Sequence, residues 1–176
     1  MVNYTPVAIA GVRGAERGKL TFKPSWGMKV NLSSYEAGVL AFEGKAYSQA
    51  LHQFLKFIQT HQNDKRVKES LKYLVVIYQE MEKYEESNSA LNWLLKFDLS
   101  KEEAIFRKYQ ISLNYFILNK FDESIRILKT LDPADKNLSV DILLLLYLNY
   151  KQLGSRKARK YKRKLLKTDL SFKRFL

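Results

Sequence analysis

One interval constrains this chain more than any other feature of its sequence. Tyr47, Tyr84 and Phe121 stand 37 residues apart, as do Ala50, Ser87 and Ser124, and again Phe54, Leu91 and Leu128. Two copies read almost alike, Tyr84-Glu85-Glu86-Ser87 and Phe121-Asp122-Glu123-Ser124. A fixed period of this length, carried by aromatic and small residues, marks a stacked repeat protein. One unit of such an array cannot bury its own apolar face, so the stack supplies the core.

Within each period the apolar spacing is helical. Ser33-Ser34-Tyr35-Glu36 reads as a capping box that opens a first helix to Phe42, with the turn at Gly44-Lys45. The second helix, Tyr47 to His61, puts Ala50, Leu51, Phe54, Leu55 and Ile58 on one face. Further helices are expected over Lys65–Met81, Tyr84–Phe97, Ser100–Leu118 and Phe121–Leu131. Ser100 to Glu103 forms a second capping box, and Asp132-Pro133 is the stop. A strongly apolar helix follows over Val140–Gln152, and a basic one after Gly154. The expected fold is all-α, an α-solenoid of antiparallel helix pairs. Residues 1–31 form an irregular basic arm, 32–154 the repeats and 155–176 a basic capping helix.

The stretch from Ser33 to Leu131 resembles tandem tetratricopeptide repeats (TPRs), as a divergent member with three repeats and a capping pair. The small residue of the second helix matches Ala50, Ser87 and Ser124, and its opening aromatic matches Tyr47, Tyr84 and Phe121. Phe54, Leu91 and Leu128 match the large apolar residue one turn on, and Tyr78 and Tyr115 the aromatic of the first helix. The period exceeds the family's usual 34, and its terminal proline appears only as Pro133.

The resemblance implies a ligand groove lined by the first helix of each pair. Carried over residue by residue, it gives Tyr35, Val39 and Phe42, then Lys72, Val76 and Gln79, then Phe106, Tyr109, Leu113 and Phe116. The fourth pair adds Leu143, Tyr147 and Tyr150. So aromatic a lining suits an extended apolar segment or an amphipathic helix of a partner; equally, an aromatic stripe at helical spacing can be core. The family's lysine-and-asparagine clamp for a C-terminal carboxylate is not matched, because Val76 stands where its asparagine would follow Lys72.

Charge is distributed unevenly. Residues 1–30 carry five basic groups against Glu16, residues 31–150 carry 15 basic and 16 acidic, and residues 151–176 carry 11 basic against Asp169. The densest run holds Arg156, Lys157, Arg159, Lys160, Lys162, Arg163, Lys164 and Lys167, threaded by an apolar stripe of Ala158, Tyr161 and Leu165. That run reads as a solvated cap, as a dock for an acidic protein, or as a contact for nucleic acid or anionic membrane, with Phe172, Phe175 and Leu176 as an interfacial anchor. The N-terminal arm, with Pro6, Pro24 and four of the seven glycines, is either flexible or ordered against a partner.

Several function classes find no support. Gly14 and Gly18-Lys19 are too close for a P-loop, and Leu20 stands where its hydroxyl should be. There is no cysteine, and His52 and His61 are nine residues apart, on different faces of one helix. Neither a cofactor nor a metal is expected. The sequence carries no visible signal peptide and no run long enough to span a bilayer, which favours the cytoplasm. The expectation is therefore a non-enzymatic scaffold or adaptor in a multi-protein assembly. Its rivals are a secretion-type chaperone holding an apolar cargo segment, and a tether using the basic ends.

Overall fold

The computed structural model describes residues 32–168, and the expectations placed on 1–31 and 169–176 lie outside them. The described residues form eight helices: α1 (Ser34–Glu43), α2 (Tyr47–Thr60), α3 (Arg66–Glu80), α4 (Tyr84–Leu94), α5 (Lys101–Ile117), α6 (Phe121–Leu128), α7 (Lys136–Gln152) and α8 (Lys157–Thr168). They pack as successive pairs, α1 on α2 through α7 on α8, and each pair packs on the next. The result is an all-helical solenoid.

Side-chain caps fix the starts of α1, α5 and α7. The capping box forms at α1: the Glu36 amide donates to Ser33 Oγ at 3.3 Å, and the Ser33 amide donates to the Glu36 carboxylate at 2.9 Å. At α5 only half of the expected box forms. The Glu103 amide donates to Ser100 Oγ at 3.1 Å, while the Glu103 carboxylate turns away to basic side chains of α3. α7 begins at Lys136 rather than Val140, because Asp135 caps it by accepting from the Leu138 amide at 2.7 Å. α4 and α6 stop short of Phe97 and Leu131: their last amides turn to bonds three residues back, Phe97 to Leu94 O and Leu131 to Leu128 O.

The turn inside every pair is the same object. Lys45, Glu82, Asn119 and Gly154 occupy the left-handed region, at φ 56°, 57°, 58° and 62°. In each turn the next residue's amide reaches back over the helix end, as Ala46 to Ala41 O at 2.8 Å and Ser155 to Tyr150 O at 2.9 Å. With the shorter bond inside it, such as Lys45 N to Phe42 O, this is a Schellman ending. Only the last turn uses glycine, so three side chains are held where L-residues incur a steric cost of about 1 kcal/mol.

These four residues provide a common ruler. The first three follow the 37-residue period, and Gly154 comes 35 residues after Asn119. The shortening falls mainly in α6, which has 8 residues where α4 has 11.

Two apolar clusters fill the interior. One joins α2, α3 and α4 through Phe54, Phe57, Leu71, Leu74, Leu91 and Leu94, closed by Ile111 of α5. The other joins α6 and α7 through Ile125, Leu128, Ile142, Leu145 and Tyr150, with Tyr161 of α8 packed on it. α8 closes the described array: Leu165 is fully buried, and the Tyr161 ring stacks on Tyr150 at 5.2 Å between centroids. Burying a side chain of that size stabilises by about 2–3 kcal/mol. The opposite end differs. Leu40, five residues before its turn, is 53% exposed, whereas Ile77, Asn114 and Asn149, at the same distance from theirs, are buried by the preceding pair.

Candidate interaction groove and basic face

The odd-numbered helices line the inner side of the array. α1 touches α3 and α5 touches α7, whereas no two even-numbered helices approach one another among the described residues. α3 and α5 make no such backbone approach and meet through side chains. On those helices the positions ten, six and three residues before the left-handed turn are Tyr35, Val39 and Phe42; Lys72, Val76 and Gln79; and Tyr109, Leu113 and Phe116. All are at least partly exposed.

The fourth pair requires a correction. Tyr147 and Tyr150 are buried, each 5% exposed. They stand seven and four residues before Gly154, the distances at which Ser112 and Tyr115 stand before Asn119. Because the last interval is shortened by two, the positions matching the other three pairs are Leu144, Leu148 and Lys151, which are half-buried, half-buried and exposed. Tyr147 packs inward, and Tyr150 faces α8. Leu143, from the same register, is half-buried.

The remaining positions divide into packed and open. Tyr35 lies against Phe54 and Phe57 at 6.0 and 5.4 Å, and Phe42 against Tyr73 at 5.0 Å. Tyr109, Leu113 and Phe116 pack on the second cluster, with Phe116 at 5.7 Å from Phe121. Burial, with the Asp141 carboxylate as a lesser cause, raises the Tyr109 phenol above its ordinary value. Val76 and Phe106 are the open ones, 40% and 42% exposed.

The polar residues between α3 and α5 are already engaged. Glu103 receives Lys68 at 3.6 Å, Lys72 at 3.9 Å and Arg107 at 3.7 Å, and Lys72 also meets Glu69 at 2.8 Å. Gln79 donates to Asn114 Oδ1 at 3.2 Å. Asn114 Nδ2 donates in turn to Ser87 Oγ at 3.1 Å and Asn88 Oδ1 at 2.9 Å, so its amide is fully satisfied inside the fold. Lys72 and Gln79 thus link α3 to α5. Sequence reasoning missed Asn114 and Asn149 altogether. The available signal was a polar residue 27 and 25 positions after the small Ser87 and Ser124.

The basic run stands largely apart from these contacts. On α8 and just before it, Arg156, Lys157, Arg159, Lys160, Arg163, Lys164 and Lys167 are exposed, and Lys162 is half-buried. His52 and His61 are both exposed, and His61 stacks on Phe57 at 4.9 Å. Open depressions of about 250 and 380 Å³ lie beside Ile105 and Leu131 and beside Ala37 and His52, away from the groove positions. The described residues contain no cluster of potential metal ligands, and no helix among them is long and apolar enough to cross a membrane. No protein-family model matches the chain, and no curated protein is significantly similar to it.

Proposed function

We propose that this protein is a non-enzymatic scaffold of the tetratricopeptide-repeat kind, which holds an apolar segment of a partner protein along the inner side of α3 and α5. The observation that carries this reading is the exposure of Val76 and Phe106 on inner helices whose other apolar residues are mostly packed. An exposed valine and phenylalanine beside neutralised charges favour an uncharged, apolar strand or helix face. The ion pairs of Glu103 argue in the same direction: Lys68, Lys72 and Arg107 are offset by Glu103 and Glu69, and the one net positive charge left is a weak attraction for an acidic tail.

The reading is tested with Val76→Glu and Phe106→Glu, both on exposed sites that leave the core intact. Affinity capture with the wild-type chain, identified by mass spectrometry and repeated with each variant, should show one protein lost from both variants and retained by Lys56→Glu on α2. The binding loss should be at least tenfold, as for a carboxylate pressed into an apolar interface. Capture that is indifferent to both substitutions rejects the groove. Phe116→Glu is a poorer probe, since Phe116 packs against Phe121 and its loss would disturb the fold.

A further inference from the structure

α8 carries a surface that the groove does not use. At 100° per residue, Arg159, Lys160, Arg163, Lys164, Lys167 and Lys157 occupy one continuous arc of the helix, and Ala158, Tyr161 and Leu165 occupy the opposite one. The apolar arc packs on the fold, with Leu165 fully buried, Tyr161 stacked on Tyr150, and Ala158 and Tyr161 half-buried. Arg159, Lys160, Arg163 and Lys167 enter no ion pair among the described residues. The arc is also electrostatically strained. Arg159, Arg163 and Lys167 follow one another at four-residue spacing, the distance at which like charges repel on a helix surface. Lys157 adds a cation in the first turn, where the helix dipole favours an anion, and the turn contains no acidic residue. Lys129, which follows the last residue of α6, extends the positive region, its ammonium 5.6 Å from the Tyr150 ring that Lys157 approaches at 5.8 Å.

We propose that this basic face of α8 docks on the phosphate backbone of a nucleic acid, without reading its sequence. Three candidate polyanions are separated by what the arc contains. A membrane surface is bound by a helix that offers both cations and an open apolar face, and on α8 Leu165 is buried while Ala158, Tyr161 and Leu166 are half-buried. Protein interfaces are depleted in lysine and anchored by aromatic or aliphatic side chains, and this arc presents only cations. A closely spaced row of phosphates needs nothing but positive charge at short intervals, and bidentate guanidinium contacts from Arg159 and Arg163 strengthen it. Binding also relieves the repulsion along the helix.

The test uses the full chain and fluorescence anisotropy, with a short labelled DNA duplex and a labelled single-stranded RNA as probes. Four phosphate contacts, from Arg159, Lys160, Arg163 and Lys167, predict affinity for duplex DNA falling about 100-fold between about 50 and 200 mM salt. RNA binding would fall somewhat less steeply. The triple variant Arg159→Gln, Arg163→Gln and Lys167→Gln keeps good helix formers and should lose most of the binding, with an unchanged circular dichroism spectrum. Because residues 1–30 are basic as well, the variant is made in the full chain, so that any binding through them persists. Unchanged affinity of the triple variant overturns the proposal. So does the absence of binding to either probe at low salt, or equal binding to polyglutamate or to phosphatidylserine vesicles.

Discussion

The junction between α2 and α3 and the junction between α4 and α5 occupy equivalent places in the repeat and are built from opposite chemistry. At the first, Ala50 and Ile77 are fully buried, beside the Phe54 ring stacked on Tyr73 at 4.8 Å. At the second, the equivalent residues are Ser87 and Asn114, also fully buried and joined by a hydrogen bond. The third junction repeats the second with Ser124 and Asn149, whose Nδ2 donates to Ser124 Oγ at 3.0 Å and to Leu145 O at 2.7 Å. The residues at these positions vary together: alanine goes with isoleucine in one apolar cluster, and serine is bonded to asparagine. Apolar packing tolerates small shifts of one helix along another. A buried amide with three partners does not, because sliding α5 against α4 strips bonds that water cannot replace. The polar junctions therefore fix register, while the apolar one mainly adds burial.

Removing the amide at the second junction should have the largest effect. Asn114→Ala leaves Gln79 and Asn88 without a partner and opens a cavity, for a cost of about 3 kcal/mol in urea unfolding. Asn149→Ala should cost less, since the Asn149 Oδ1 atom meets no protein donor and fewer bonds are lost. Equal losses at the two sites would mean that the hydrogen-bond count does not separate these junctions.

The apolar end is tested by volume. A Cβ added at Gly38 would stand 2.9 Å from Phe54 Cε1, and Phe54 is pinned by its stack on Tyr73. Alanine gains up to about 1 kcal/mol of helix propensity over glycine, but overpacking a fixed ring costs about 1–3 kcal/mol. Gly38→Ala should therefore lower the melting temperature, and a rise would show that α1 can lift away from α2.

The smallest effect is electrostatic and lies at the start of α3. Arg66 binds Asp64 through two side-chain bonds, at 3.0 and 2.7 Å, and through its amide at 2.8 Å. The Arg66 guanidinium bonded to it, helped by the Arg66 amide, holds the Asp64 carboxyl down at about 2. A depressed carboxyl contributes stability above its unfolded value, near 3.9, and loses it as pH falls to the folded value. Melting temperature should thus decline between about pH 4 and pH 2, slightly more in the wild type than in Asp64→Asn. The difference will be small because the pair is exposed.

Much of this architecture can be read from the residues alone. Helix type and number follow from apolar spacing, and the capping serines and the recurring Tyr47, Tyr84 and Phe121 locate the starts of the pairs. The basic arc of α8 is legible for the same reason, since helical spacing alone separates Ala158, Tyr161 and Leu165 from the cations. The groove was only partly legible. Tyr35, Phe42 and Phe116 are aromatic at the expected spacing yet pack against neighbours, and spacing cannot tell a packed ring from an open one.

The sequence by itself determined the helices, their pairing through a fixed interval and the separation of charge into the ends, because these depend on contacts within one or two turns. The tertiary structure decided the rest. It moved the fourth pair's inner positions from Tyr147 and Tyr150 to Leu144, Leu148 and Lys151, because register is set by the left-handed turn at Gly154. It turned Glu103 from a cap into a bridge between α3 and α5, and it brought Asn114 to Ser87 across 27 residues. Those outcomes depend on which helix faces meet after stacking, and no local pattern encodes that.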